Sequence, residues 1–180
     1  PGGWAFQYDN DFYPDVDDTA VVAMFLDKAG YQKKKIIDRA CDWIEGMQSK
    51  NGGWGAFDKD NTHHYLNNIP FADHGALLDP PTSDVSARCI SMLSQINKNK
   101  YKKTIQKGVN FLKSEQEENG SWFGRWGTNY IYGTWSVLNA LKSSGEDMNS
   151  NYIKKAITWI KKKQNSDGGW GEDCATYWKE

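Results

Sequence analysis

Cysteine is scarce. Cys41, Cys89 and Cys174 are the only three in 180 residues, and their spacing is not that of a disulfide framework, so they read as thiols of a reducing compartment. Charge of one sign is missing as well. Twenty-two basic residues stand against 23 acidic ones, a net charge of -1, so no basic field points to nucleic acid. The lysine runs "QKKKI" and "NKNKYKK" read as solvated helix faces. No stretch approaches the ~20 apolar residues of a membrane span, and none has the pattern of a signal peptide. Of three histidines, His63 and His64 are adjacent and His74 stands alone. No Cys or Asp completes a metal-ligand spacing with them, so they read as loop residues and no metal is expected.

Aromatic residues are in excess: nine Trp, nine Tyr and seven Phe, 14% of the chain. Many of them fall in a repeat. "RACDWIEGMQSKNGGWGAF", "KGVNFLKSEQEENGSWFGR" and "KAITWIKKKQNSDGGWGED" align, each with a Gln six residues before a Trp. The pairs are Gln48 and Trp54, Gln116 and Trp122, Gln164 and Trp170, and "GGW" at 2–4 is the tail of a fourth copy. Trp-to-Trp spacings of 50, 68 and 48 indicate an array of helical pairs with one insertion. In each unit an amphipathic helix, apolar at Cys41, Trp43, Ile44 and Met47 in the first, runs up to the Gln. A Gly/Asn-rich turn then stops it. The Gln amide is expected to satisfy orphan backbone groups at a neighbouring helix end, with the Trp ring covering that bond. These six residues are therefore assigned a structural role.

Between the clips lie less charged helices at 17–30, 83–96 and 128–145. The first two are expected to start at Asp or Ser caps, and the first and third to end at Gly. The fold class is all-α. Alternating helices whose apolar members face inward close into an (α/α) barrel, and three pairs make about half of an α6/α6 barrel. Residues 55–83, with Pro70, Pro80 and Pro81, are a loop insertion, and long ordered loops are often functional. Starting at "PGGW" and stopping at "ATYWKE", the chain reads as an internal fragment, residues 1–180 forming part of one domain. A half barrel exposes apolar inner faces, which predicts poor stability in isolation.

"YPDVDDTA" places Asp15, Asp17 and Asp18 at the start of the first inner helix. An N-cap and an acidic first turn explain one or two of these carboxylates. A calcium loop lacks its glycine and distal Glu. A third possibility is a shared-proton cluster, in which like charges cannot all ionise and one carboxyl keeps its proton near neutral pH. Aromatic residues flank the cluster: Trp4, Phe6 and Tyr8 before it, Phe57 after one clip, and Trp126, Tyr130 and Tyr132 at another. Their π-faces can stabilise a cation without reacting with it. An acid beside an aromatic wall is equipment for protonating an alkene.

"PGGWAFQYDN" with "YPDVDDTAVV", the Gln-Trp repeats, "NGGWGAFDKDNT", "IPFADHG", "DPPTSDVSAR" and "RWGTNYIYG" together resemble a squalene-hopene cyclase over essentially the whole chain. The resemblance implies acid-initiated cyclisation of squalene to hopene or hopanol through carbocations, with no cofactor. It implies that Asp17 is the proton donor with Asp15 and Asp18 as partners. Phe6 and Phe57 fall on cation-stabilising positions, Trp126 on a cavity position, Tyr132 near the acid, and Asp84 on a neighbouring acidic position. Three departures stand out: Phe57 where many members carry Tyr, Arg88 where His is frequent, and Trp135 where a small residue is expected. Arg88 cannot give up its proton. It is expected to pin one aspartate as carboxylate and leave a neighbour to hold the mobile proton. For the full-length protein the resemblance implies a lipid substrate, squalene. It also implies peripheral or monotopic contact with the cytoplasmic side of a bacterial membrane, and it allows a homodimer.

Other readings remain at this point. A cyclase of another linear polyprene, such as a sesquarterpene, would use the same acid. A glycosidase on an α/α barrel needs two carboxyls ~5–9 Å apart across a bond, whereas these are contiguous. A prenyltransferase subunit needs a zinc set not found here. A non-catalytic helical repeat module predicts that Asp17→Asn leaves function intact.

Overall fold

The computed structural model describes residues 2–69 and 77–177; Pro70 and His74 lie outside them. Among the described residues six α-helices form three pairs: α1 (Val16–Lys28) with α2 (Lys34–Gly46), α3 (Ser83–Asn97) with α4 (Lys102–Ser114), and α5 (Tyr130–Ser144) with α6 (Asn151–Lys162). Short strands β1 (Trp4–Ala5) and β2 (Pro14–Asp15) pair antiparallel just before α1. Helix α1 packs on α3 and α3 on α5, making an inner layer, and each outer helix packs against the inner helix that precedes it. This is the expected all-α array, an arc of a helical-pair barrel.

The helix ends show why these residues form these elements. The caps of α1 and α3 are Asp15 and Thr82, one or two residues earlier than expected. Asp15 accepts the Asp18 N–H, whereas Ser83 is already helical. Gly30 and Gly145 take positive φ after α1 and α5, as the sequence suggested. The outer helices end two residues before each Gln, at Gly46, Ser114 and Lys162.

The clips differ in detail from expectation. Gln48 Nε2 donates to Gly52 O in its own turn (2.8 Å) and to Thr104 O in the first turn of α4 (2.9 Å). Gln116 repeats this with Gly120 O and Tyr152 O at α6. The acceptors thus lie at the start of the next outer helix, where carbonyls already have helical partners; they are not orphan groups. Each Trp indole N–H instead reaches back into its own outer helix, Trp54 to Ile44 O, Trp122 to Leu112 O and Trp170 to Ile160 O. Trp54 and Trp122 are fully buried, but Trp170, with no helical pair after it in this sequence, is 47% exposed. A third link is not apparent from the repeat. The backbone N–H of Trp4, Trp54 and Trp122 donates to Thr19, Ser86 and Thr134 in the first turns of α1, α3 and α5. The turns at Trp54 and Trp122 therefore each tie an outer helix to the next inner one.

The turn requires glycine where it crosses a neighbour. Gly52 has φ +97°, and a Cβ there would lie 2.5 Å from Lys107 O of α4.

The core lies between the layers, around Ile44, Trp54, Ile90, Leu93, Leu112, Trp122 and Leu141. The opposite face of the inner layer is uncovered and presents Val21 and Phe25 of α1 and Trp135 of α5.

Candidate functional site

The inner helices bring their N-terminal turns together, and the chemistry-bearing residues collect there. Asp17 and Asp18 enter on α1 with Asp15 as its N-cap, Asp84 and Arg88 on α3, Tyr132 and Trp135 on α5. Asp84 is fully buried, and its Oδ2 accepts the Trp126 backbone N–H at 2.8 Å. That bond fixes the loop before α5 against α3. Arg88 Nε lies 3.9 Å from Asp17 Oδ1. Its guanidinium carbon lies 6.0 Å from the Tyr132 ring centre and 5.6 Å from that of Trp135. Trp135 thus holds Arg88 from one side.

The loop at 55–58 closes the site. Ala56 O accepts the N–H of Val16, the residue before Asp17, at 2.8 Å. The Phe57 ring is 5.1 Å from Tyr13 and stands edge-on to Trp126 at 5.9 Å. Phe57 and Trp126 form one wall beside the aspartates.

Burial sets the electrostatics. Asp17 is pushed up to about 6, first by loss of water around its carboxyl. The Arg88 charge pulls it down, and Asp84, Asp15 and Asp18 push it up by less than burial does. Burial also raises Asp15 and Asp18, and Arg88 opposes it at Asp18. One expectation is corrected here: desolvation, more than crowding, keeps a proton on the cluster. The aspartate that Arg88 faces, which the sequence left open, is Asp17, and burial outweighs the pull of Arg88 there. Tyr132 is pushed up to about 12 by burial and by Asp84 and Asp17, so its hydroxyl stays neutral. Near pH 6, Asp17 is half protonated, which suits a group that gives up a proton and takes it back.

The expected site residues fall into three groups. Asp15, Asp17, Asp18, Asp84, Arg88, Tyr132, Phe57 and Trp126 are gathered at one end of the arc. Phe6 is not among them; it is 82% exposed on the 6–13 loop, beside Tyr8 and Phe12. The Gln-Trp pairs lie in the turns that join the layers. Cys41 and Cys89 are buried and Cys174 is exposed. His63 and His64 sit at the start of a 3₁₀ turn, His64–Asn68, in the insertion. Sequence reasoning misses Tyr13, Asp79 and the helix hydroxyls Thr19, Ser86 and Thr134. For Asp79 the signal is the "LLDPP" run, an acid among apolar residues.

The arc of helical pairs thus carries a protonatable carboxyl, Asp17, whose side chain is 25% exposed, on the same end as the aromatic faces of Phe57 and Trp126. Residues 1–180 match the family described as the squalene-hopene cyclase C-terminal domain, and the chain belongs to that family. It is 58% identical to the squalene–hopene cyclase of Zymomonas mobilis over 98% of this chain and 28% of that protein. For the enzymes of Schizosaccharomyces japonicus and Alicyclobacillus acidocaldarius the identities are 60% and 49%, over 27% and 29% of their lengths. The chain thus spans little more than a quarter of these relatives. Among solved structures, the type II terpene cyclase MstE from Scytonema superposes with a TM-score of 0.66 at 20% identity. The match covers 98% of this chain and 50% of that one, and it shows the shared fold.

Proposed function

We propose that the full-length protein cyclises squalene, and that residues 1–180 are the part of its catalytic barrel domain that holds the acid. The observation that carries this is Asp17: a carboxyl raised to about 6 by burial, 3.9 Å from Arg88 and beside the Phe57–Trp126 wall. Asp17 gives its proton to the CH carbon of a terminal double bond. A C–H bond forms, the π bond breaks, and a tertiary carbocation remains. Arg88 then faces a carboxylate and stabilises it. Successive double bonds attack the cation, forming one ring after another. Phe57 and Trp126 shelter the charge with their π-faces. Phe6 lines the part of the cavity that the rest of the polypeptide completes. The last cation loses a proton to water to give hopene, or adds water, which then gives up a proton to solvent, to give hopanol. Tyr132, too weak an acid to ionise, serves as a hydroxyl relay through which solvent returns a proton to Asp17. Asp15 and Asp84 hold the turn and the loop around it.

The substrate is dissolved in lipid, so we place the full-length protein at the cytoplasmic face of a bacterial membrane, peripheral or monotopic, with a homodimer as one assembly to test. Among the described residues no helix is long and apolar enough to cross a membrane.

The test is expression of the full-length gene in cells that make squalene, with gas chromatography and mass spectrometry of the lipids. A pentacyclic product that vanishes in Asp17→Asn supports the proposal. Intact squalene in both samples rejects this substrate and leaves another linear polyprene as the one to try.

A further inference from the structure

Asp79 has no place in the chemistry above, yet it is 1% exposed and its carboxylate is fully engaged with backbone. Oδ1 accepts the N–H of Ala56 at 3.0 Å, and Oδ2 accepts those of Phe57 and Asp58, each at 2.7 Å. Three consecutive backbone donors converge on one carboxylate. These are charge-assisted bonds, stronger than those an amide or a water would make. The segment they fix borders the acid. Ala56 O holds the Val16 N–H next to Asp17, and Phe57 carries the ring against Trp126. The preceding carbonyl, Leu78 O, accepts a bond from Arg125 at 2.9 Å, and the Arg125 guanidinium lies over the Trp126 ring at 5.5 Å. Both rings of the wall are therefore held from the 78–79 segment.

We propose that Asp79 is a positioning residue that fixes Phe57 relative to Asp17 and so decides how far a cyclisation runs. The inference rests on the proposed cyclase activity. A cation faced by a correctly placed ring persists until the next double bond reaches it. One faced by a displaced ring loses its proton early, and the product stops at fewer rings. An amide cannot replace the carboxylate. In Asp79→Asn, whichever way the new amide turns, its NH₂ meets at least one of the three N–H groups. The geometry offers a second, independent probe. A Cβ at Gly55 would fall 2.7 Å from Asp79 Oδ2 and 2.7 Å from Asp79 O, so Gly55→Ala strains the same contact with the carboxylate kept.

The experiment uses the full-length enzyme with squalene, scoring products by mass spectrometry per amount of folded protein. In Asp79→Asn and Gly55→Ala the share of partly cyclised hydrocarbons is expected to rise about tenfold or more, with KM little changed, because a small misplacement acts on the reacting centre. A residue that served stability alone would lower the yield of folded enzyme and leave the product mix as it was. In a Phe57→Leu background, Asp79→Asn is expected to add nothing to the mix, since it acts through that ring. A wild-type mix from either folded variant, or additive effects with Phe57→Leu, overturns the inference while wild-type cyclisation stands. A wild-type enzyme that forms no cyclic product rejects the proposed activity, and this inference with it.

Discussion

Arg88 Nε and Asp17 Oδ1 face each other across 3.9 Å, and neither atom has a hydrogen-bond partner among the described residues. The pair is charge against charge with no shared proton. Such a contact lowers the carboxyl pKa without capturing its proton, and burial keeps Asp17 near 6 in spite of it.

That relationship predicts a pH profile. If Asp17 is the proton donor, activity of the full-length enzyme is full below its pKa and falls as pH rises through it, from about 6 upward. Arg88→Met removes the cation that pulls Asp17 down. The descending limb in the full-length enzyme should therefore move to higher pH, by about one unit, since nearby opposite charges lower a carboxyl by about 1–3. Arg88→Lys should move it less. Rates measured from pH 5 to 9 decide this; a limb that stays put in Arg88→Met would show that Arg88 does not act on the acid.

Stability carries the same signature with the opposite consequence for a variant. Asp17 binds its proton more tightly folded than unfolded, so its contribution favours the fold below pH about 4 and is lost as pH rises through about 6. Above that, the wild type holds a carboxylate in a site that disfavours it. Asp17→Asn should therefore be inactive yet more stable than wild type at pH 7–8, on the order of 1–2 kcal/mol after allowing for partial exposure. The gain should vanish near pH 4. Denaturant unfolding at the two pH values reads it, and equal gains at both would point to packing instead.

How much of this is legible in the sequence depends on range. The Gln-Trp pairs and the glycines at 30 and 145 are local signals, and they place the six helices correctly. The grouping of Asp17, Asp84, Arg88 and Tyr132 comes from the family resemblance, because nothing in spacing alone sets α3 beside α1. Asp79 escapes notice because its three partners lie 21 to 23 residues away, across an insertion whose path no periodicity reveals. The indole bonds are misjudged for a related reason: a Trp ten residues after a carbonyl returns to it only once the turn is formed. Phe6, which the resemblance would set on a cation-stabilising position, is 82% exposed, and no local pattern in the sequence signals that.

The turns make a separate prediction. Gly30 has φ +69° with open space where a Cβ would stand, whereas at Gly52, φ +97°, a Cβ would strike the Lys107 carbonyl. Gly30→Ala should cost about 1 kcal/mol, the strain of a left-handed alanine. Gly52→Ala adds a backbone collision between repeats and should cost roughly twice that or more. Unfolding midpoints of the two variants test it; equal losses would mean that the clip has room to shift.

If Asp17 starts the reaction, it gives a solvent-exchangeable proton to carbon. The most direct measurement is turnover of squalene by the purified full-length protein in deuterium oxide, followed by mass spectrometry and NMR of the product. The prediction is one deuterium in each initiated molecule, on the ring methylene beside the gem-dimethyl carbon, and no labelled product from Asp17→Asn. Cyclic product without deuterium at that carbon would contradict acid initiation and remove Asp17 from the role given to it.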